Sequence, residues 1–342
     1  MLGKRFLIQK LGLVSDQYFF LDSHMMVRQE KGVERLGVYS KNINYEYYNP
    51  ITDQNIINSF PKRYVYQIDN PYIDPVSGYI YDQRGIFIAE SSAWNLLRQF
   101  YSWPKPFIKK LRTVLPGTYI YIDDIGYYHW LVEDLSVFIA AYNLYPEAKI
   151  ICPKNPSSWL LAFLQNLDIE PEYIDVPVGV ERLIMVGKTA GQGNPLAGVT
   201  PHPKDIDTLR DYFQPFMNEQ VESTLLFISR TGESRCPSNI SEVESFVSSK
   251  GYQVINSQDK LSIYEQVSLY SSAKKIVGIH GGALANTIWC ASGTEIVELA
   301  SPGYLPGVFS MIASIRSNTY KWVSYGKIPT DPIDLLELEK YL

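Results

Sequence analysis

The chain has 342 residues, more than one typical hydrophobic core accommodates, so its length favours two domains. Its composition, 46% hydrophobic and 20% charged, is that of a soluble globular protein, and a net charge of −5 argues against a protein that binds nucleic acid by neutralising phosphates. The three cysteines (Cys152, Cys236 and Cys290) lie far apart and form neither a disulfide framework nor a zinc-site pattern, which favours a reducing, cytoplasmic compartment. The apolar run after Met1 is too short for a signal peptide, and no run is long enough to span a membrane, which leaves open peripheral association with the inner face of the membrane.

The first sixty residues show little hydrophobic periodicity and predict no element. From residue 64 to about 89, short alternating runs separated by turn residues predict a β meander, an extra β-rich segment of the N-terminal half. From Gly117 onward, strand and helix patterns alternate, which indicates a parallel sheet with helices on both faces. The predicted strands are 118–122, 149–152, 173–176 and 182–186, and the predicted helices are 127–143 and 159–167.

A second alternating half follows residues 191–203, whose Gly, Asn, Pro and Thr content predicts a linker. The predicted helices of this half are 205–217, 241–250 and 263–273, and the predicted strands are 225–229, 252–255, 276–279 and 295–299. Residues 1–190 are therefore assigned to an N-terminal domain, Rossmann-like from about residue 117, and residues 204–330 to a second Rossmann-like domain. Residues 331–342 are predicted to form a terminal helix that packs back on the N-terminal domain.

The most informative stretch is 275–286, which predicts a buried strand, a tight glycine turn and a helix that starts near Ala283. Backbone amides at such a junction point outward, and the helix dipole adds positive potential, so the turn can bind an anion such as phosphate. Gly281 and Gly282 let the backbone approach that anion closely, and His280 adds an imidazole. A turn without a ligand is the alternative, because many α/β proteins have a glycine-rich turn after a strand.

A second pattern places His129 and Glu133 four residues apart, and so on one face of a predicted helix. This helix follows a strand, at the edge where open α/β sheets bind ligands. A carboxylate beside an imidazole can act as a general base. The alternative is an acidic helix start favoured by the dipole, with an imidazole that caps a loop. The sequence also leaves open whether Asp134 shares the role of the base.

Three further residues have both a functional and a structural interpretation. Arg230 closes a strand and suits phosphate binding, whereas for Arg235, in the following loop, a surface salt bridge is the favoured interpretation. Glu298 ends the strand after the glycine turn, where carboxylates often hold ribose hydroxyls, although a solvent-facing charge is the simpler reading.

Two acidic positions have strong structural explanations. Glu265 completes a capping box with Ser262, which competes with any role in ligand contact. Asp205 and Asp207 have the spacing of a metal-binding acidic pair, but they directly precede a predicted helix that Asp205 would cap. The sequence therefore predicts no metal site here.

Taken together, these patterns resemble glycosyltransferase family 61, the capsular-polysaccharide or DUF563 family. The matching stretches occur in the order and approximate spacing of the family, over roughly residues 65–300: 127–133, 227–230, 239–242, 265–266, 280–286 and 295–298. One departure concerns the central turn, which is usually His-Gly-Ala-Gly in the family and is His-Gly-Gly-Ala here. The change shifts the small residues and still allows a close approach.

The resemblance implies an inverting, metal-independent enzyme without a cofactor, of the GT-B type, an α/β fold with two Rossmann-like domains facing a cleft. It implies a nucleotide-sugar donor, commonly UDP-linked, in the second domain, and a glycan or glycolipid acceptor in the first. The implied product is a bacterial surface polysaccharide. Carried over residue by residue, Glu133 is the general base with His129 beside it. The implied donor-binding residues are Arg230, Arg235, Glu265, His280, Gly281, Gly282, Ala283, Asn286 and Glu298.

Other function classes are weaker or remain open. A dinucleotide-dependent oxidoreductase is disfavoured because no Gly-x-Gly-x-x-Gly follows a strand with an acidic residue about 20 positions further on. A non-catalytic nucleotide- or glycan-binding protein of the same fold, or a nucleotide-dependent α/β enzyme of another class, remains the alternative.

Overall fold

The computed structural model describes residues 64–83, 114–124, 126–186, 201–218, 224–256, 261–302 and 307–342, and also the backbone of three strands, β1 (Val33–Gly37), β2 (Ile43–Asn49) and β3 (Gln54–Phe60). The predicted strand near residues 85–89 and most of the predicted linker, residues 191–200, lie outside this part. The chain forms two compact units, one comprising Met1–Ile43 and Ser59–Thr200, the other Asn44–Asn58 and Pro201–Leu342. The acceptor and donor roles expected for the two halves stay predictions.

The first unit contains an eight-stranded mixed sheet. Its further strands are β4 (Tyr64–Asp69), β5 (Tyr72–Asp74), β6 (Tyr79–Tyr81), β7 (Val114–Tyr121), β8 (Lys149–Pro153), β9 (Glu172–Ile174) and β10 (Val178–Val186). The order is β1-β4-β10-β7-β8-β9, with β5 and β6 beside β10. Strands β10, β7, β8 and β9 are parallel, whereas β4 and β5 pair with β10 in antiparallel orientation. The predicted β-rich segment is thus hydrogen-bonded into the sheet and does not stand apart from it.

Two helical elements follow strands of this sheet. The first, α1, consists of a short α-helical turn (Tyr127–His129), a π-helical segment (Trp130–Asp134) and an α-helix (Leu135–Leu144). The second, α2, is Ser158–Asn166. All residues from Trp130 to Ile139 are buried, which explains why the segment shows little amphipathic pattern. In β7, Tyr119 and Ile120 are both buried although they point to opposite faces, as expected for a central parallel strand.

The second unit contains a five-stranded parallel sheet. Its strands are β11 (Thr224–Ile228), β12 (Gln253–Ile255), β13 (Ala273–Ile279), β14 (Glu295–Ala300) and β15 (Thr319–Ser324). Its helices are α3 (Pro203–Phe213), α4 (Ile240–Ser249), α5 (Ile263–Ser271), α6 (Val308–Ile315) and α7 (Leu335–Glu339), with a 3₁₀ helix at Gly282–Trp289. The order β12-β11-β13-β14-β15 reverses direction between β11 and β13. Open α/β sheets bind ligands at such a switch point, beyond the carboxyl ends of the strands.

The terminal segment differs from its prediction as a helix over 331–342 that packs on the N-terminal domain. Only Leu335–Glu339 is helical. Ile333 and Leu338 are instead buried in a core cluster of the second unit, together with Phe227 of β11 and Val243 of α4. The side-chain amide of Asn239 also donates to the carbonyl of Ile333 and accepts from its N–H, both at 2.9 Å. Asn239 therefore anchors the terminal segment, and its side chain makes no cap bond to α4.

The start of α3 also differs from its prediction. The helix begins at Pro203, and the cap is His202, whose Nδ1 accepts a hydrogen bond of 3.1 Å from the N–H of Lys204. Proline suits the first position of a helix because it lacks the N–H that would have no partner there. His202 and Asp205, of which Asp205 was expected as the cap, are both fully buried. Among the helices of the described residues, none is long and apolar enough to cross a membrane.

Candidate functional site

The start of α1 holds the first predicted pair of site residues. The Nδ1 atom of His129 lies 3.2 Å from each carboxylate oxygen of Glu133. The Glu133 side chain has no exposed surface, whereas 23% of the His129 side chain is exposed. The carboxylate is therefore shielded, and the imidazole is the more accessible member of the pair.

The local backbone explains how a buried acid comes to lie at this helix start. Gly126, with φ 128°, precedes the first turn in a conformation that L side chains rarely adopt. Trp130–Asp134 then forms a π-helical segment, a feature that often occurs at functional sites. The ring of Trp130 fixes the segment by packing against Phe138 and Phe163, with both centroid distances at 5.3 Å.

Tyr128 packs against the imidazole. Its ring meets that of His129 edge-on, with a centroid distance of 5.4 Å. Burial raises the pKa of Tyr128 well above its ordinary value, and the nearby charge of Glu133 raises it further. The phenol consequently stays protonated. Asp134, the next residue, is buried as well but lines a cavity with Tyr121 and Met185.

The second group of predicted residues meets at the switch point of the parallel sheet. Arg230 follows β11, and His280 follows the neighbouring strand β13. The guanidinium of Arg230 donates through Nε (3.2 Å) and Nη2 (2.8 Å) to the carbonyl of Ser234, and through Nη1 (3.1 Å) to the carbonyl of His280. Arg230 thus joins the loops after two neighbouring strands, and most of its donors are used within the protein.

The position of the Arg230 side chain requires a glycine at residue 281 of the turn. A Cβ atom added at Gly281 would lie 1.8 Å from Nη1 of Arg230. The φ of Gly281 is 174°, which any residue adopts, so the requirement is one of space. The prediction that Gly281 brings the backbone close to an anion stays untested; in the structure, the group that approaches it closely is the guanidinium.

The two arginines have different environments. Arg230 is 6% exposed, and burial lowers its pKa, with the positive charge of Arg235 acting in the same direction. Arg235 is exposed, with φ 61° in the left-handed region. Arg230 therefore has the stronger structural role, and the role of each arginine in donor binding stays a prediction.

His280 belongs to a chain of three polar side chains. Its Nδ1 is hydrogen-bonded to Oε1 of Glu298. The other carboxylate oxygen, Oε2, accepts a bond of 2.5 Å from the hydroxyl of Tyr320 on β15. Glu298 has only 1% of its side chain exposed and His280 has 11%, so the strand-end charge does not face solvent. The sequence interpretation missed Tyr320 because β15 was not predicted; the alternation of Tyr320, Trp322 and Ser324 with their neighbours is the weak signal available.

The segment after the turn is a 3₁₀ helix, Gly282–Trp289, where the sequence predicted an α-helix from Ala283. Gly278 lets it lie close to the sheet, because a Cβ there would be 2.7 Å from Cδ2 of Leu284. The first turn of such a helix leaves N–H groups without an intrahelical acceptor, so the anion-binding prediction for Gly282 and Ala283 still stands.

Asn286 and Glu265 both have bonds inside the protein. The Asn286 amide donates to Oε1 of Gln266 at 2.9 Å and accepts from the indole N–H of Trp289 at 3.1 Å. Glu265 forms the predicted capping box with Ser262, which is confirmed, and these bonds lower its pKa. Structural roles account for both side chains, and contact with a ligand stays a prediction.

Comparison with known proteins places these features in one family. The family model described as Glycosyltransferase 61 matches residues 127–297, half of the chain. The chain belongs to glycosyltransferase family 61. The resemblance inferred from the motifs is thereby confirmed. The family indicates a glycosyltransferase. The mixed α/β fold with its two main sheets is compatible with this activity. No curated protein sequence matches the chain.

The family match begins at the first residue of α1 and ends just before Glu298. It includes His129, Glu133, Arg230 and His280, whereas Glu298 and Tyr320 lie beyond it. Among the described residues, no group of three or more His, Cys, Asp or Glu side chains could hold a metal ion. Independence of metal is a property of the reaction and stays a prediction.

Proposed function

We propose that this member of family 61 is an inverting glycosyltransferase that moves a sugar from a nucleotide-sugar donor, UDP-linked in the first instance, to a glycan or glycolipid acceptor in the biosynthesis of a surface polysaccharide. The observation that carries the proposal is the shielded Glu133 carboxylate held against His129 at the start of α1, within the family match. We further propose a GT-B arrangement in which the first unit binds the acceptor and the second binds the donor.

In the proposed reaction, an acceptor hydroxyl gives its proton to Glu133 as its oxygen attacks the anomeric carbon. The partly exposed imidazole of His129 passes the proton on, because the carboxylate itself has no exposed surface. The new C–O bond forms on the face opposite the leaving group, and the bond from the anomeric carbon to the phosphate oxygen breaks with its electron pair going to the nucleotide diphosphate. The configuration inverts once. His129 keeps the carboxylate in position. A general base typically contributes about 10²- to 10⁴-fold to the rate.

Negative charge grows on the leaving diphosphate and must be met by fixed donors. His280, whose ring is held by Glu298, and the amides at the start of the 3₁₀ helix are the proposed donors. The buried charge of Arg230 lies behind the same turn and adds positive potential. Together these groups would provide the stabilisation that a divalent cation provides in metal-dependent enzymes.

The proposal is tested first by changing Glu133. The intact protein is assayed against a panel of UDP-, GDP-, dTDP- and CMP-sugars by calorimetry and by release of the nucleotide, with the product anomer read by NMR. Glu133→Gln is expected to cut transfer by at least about 10²-fold while leaving nucleotide affinity unchanged. Glu172→Gln is the control, because Glu172 is an exposed residue of the same unit, paired with Lys149.

Four results would count against the proposal. Transfer by Glu133→Gln at the parent rate would exclude Glu133 as the base. A retained anomeric configuration would exclude inversion, and an absolute need for manganese, in place of the full activity expected in EDTA, would exclude the metal-independent mechanism. If no nucleotide in the panel bound, a non-catalytic glycan-binding protein would become the better reading.

A further inference from the structure

A small polar cavity lies in the first unit, beside the α1 pair but separate from it. It is at the carboxyl ends of the parallel strands β7 and β10, where Tyr121 and Met185 line it, and the face of α1 that carries Trp130 and Asp134 closes it. Its volume is about 20 Å³. One water-sized group needs roughly 10–15 Å³, so a single hydroxyl or hydroxymethyl group fits.

Two buried donors in its lining lack a hydrogen-bond partner among the described residues. They are the hydroxyl of Tyr121 and the indole N–H of Trp130. The two residues are 7% and 3% exposed, so bulk water does not satisfy these groups. Leaving a buried donor without an acceptor costs about 1–3 kcal/mol, so both point to a group that is bound in the cavity.

The lining also selects the chemistry of that group. Asp123 and Asp134 have partners elsewhere in the protein, but a carboxylate accepts several hydrogen bonds and can take another. The described residues that line the cavity include no Lys, Arg or His, so an anion would be repelled. A cation could not accept from the indole N–H. A hydroxyl group satisfies both the donor and the acceptor, because it accepts a hydrogen bond from the indole N–H of Trp130 and donates one to the carboxylate of Asp134.

Gly78 and Asp123 pack closely against each other at the cavity. Gly78, in the turn between β5 and β6, has φ 71°, and a Cβ there would lie 2.6 Å from both carboxylate oxygens of Asp123. The pKa of Tyr121 is raised well above its ordinary value by burial, and also by the charge of Asp123, so its hydroxyl keeps its proton. Trp130 and Phe138 complete the lining.

We infer that this cavity is a subsite for one hydroxyl-bearing group of a carbohydrate ligand, held by Tyr121, Trp130 and Asp134. The inference rests on the proposed function, since it names part of the surface that the sugar acceptor would contact. Asp134 follows Glu133 directly in α1, so the same helical segment carries the cavity wall and the proposed base.

The test uses the intact protein and three probes: methyl α-D-glucopyranoside, methyl β-D-galactopyranoside and methyl β-D-xylopyranoside, the last lacking the hydroxymethyl group. Binding is measured by saturation-transfer NMR, and UDP affinity is measured on the same samples. Tyr121→Phe should weaken binding of the preferred glycoside about five- to tenfold, the loss expected for one hydrogen bond. Tyr119→Phe, on the same strand with its hydroxyl on the Pro116 carbonyl, should leave binding unchanged.

Two outcomes would overturn the inference. One is a wild-type protein that binds none of the glycosides while still binding UDP, which would leave the proposed function standing. The other is equal glycoside binding by both tyrosine variants together with a lower melting temperature of Tyr121→Phe, which would mean that the cavity holds only a structural water. If Tyr121→Phe does not fold, the isosteric Asp134→Asn is read in the same way.

Discussion

The two units each pair an imidazole that comes after a parallel strand with a shielded carboxylate, but they build the pair differently. In the first unit His129 and Glu133 are four residues apart on one helical segment. In the second, His280 and Glu298 are eighteen residues apart on neighbouring strands, and Tyr320 joins from a third strand. A local pair forms wherever its helix forms, whereas the second depends on the register of three strands.

The two pairs should also differ in how strongly they affect the stability of the fold. The second pair is fixed by Gly278 lying opposite Glu298 in the β13–β14 ladder, and by Arg230 tying the turn to the loop after β11. Removing any long-range tie should disturb both stability and donor binding. Removing the partner in a local pair should change chemistry more than stability.

The largest expected effect comes from replacing Arg230. Arg230→Ala should lower the free energy of unfolding by about 2–3 kcal/mol, because the carbonyls of Ser234 and His280 lose charged hydrogen bonds and a buried side chain leaves a void. Nucleotide affinity should fall as well. Denaturant unfolding and calorimetry measure the two effects.

Arg235→Ala is the matched control, since it removes the exposed arginine of the same loop and should stay within about 0.5 kcal/mol. Equal stability of the two variants would show that Arg230 does not tie the turn. Loss of nucleotide affinity in Arg235→Ala alone would assign phosphate binding to the exposed arginine.

A smaller effect is expected from Tyr320, which has a positioning role. Tyr320→Phe removes only the hydroxyl that donates to Glu298, and a hydrogen bond to a charged group contributes about 1.5–3 kcal/mol. The His280 ring should lose its fixed orientation, so nucleotide affinity should fall several-fold while the sugar-binding surface of the first unit is unaffected. The protein has only four histidines, so the ring nitrogens of His280 can be followed directly by NMR.

The control for Tyr320 is Tyr341→Phe, which removes a hydroxyl bonded to a Glu side chain, Glu337, in the terminal segment. It should change neither nucleotide affinity nor the His280 signals. A Tyr320→Phe protein with unchanged His280 signals would mean that Glu298 alone orients the ring.

Sequence patterns predicted the local features of this molecule well. The capping box of Ser262 and Glu265 and the strands around Ile228 and Ile279 lie where they were expected, because each depends on neighbours within a few residues. The helical spacing of His129 and Glu133 likewise predicted their contact.

Features that depend on distant parts of the chain were missed or misread. The side-chain amide of Asn239 binds Ile333, which lies 94 residues away in sequence. The close packing of the Arg230 side chain against Gly281 was not foreseen, and the anion-binding role of Gly281 stays a prediction. Glu298 could be interpreted as a solvent-facing charge because no residue near it in sequence indicates that Tyr320 is its partner.

The smallest expected effect concerns the local capping box of α5, where hydrogen bonds from Ser262 lower the pKa of Glu265 below its ordinary value of 4.5. Because the pKa is lower in the folded protein, the charged carboxylate stabilises the fold above the unfolded pKa, and this contribution is lost as the pH falls from about 4.5 through the folded value. Glu265→Gln should therefore melt slightly below the wild type at pH 7 and equally at strongly acid pH. Glu242→Gln is the matched control, since Glu242 occupies the same position of α4, whose cap residue makes no side-chain bond. If the difference in melting temperature between Glu265→Gln and the wild type persisted unchanged at acid pH, the charge of the carboxylate would not be the source of the stabilisation. A loss of nucleotide affinity in Glu265→Gln would assign the residue to the donor site.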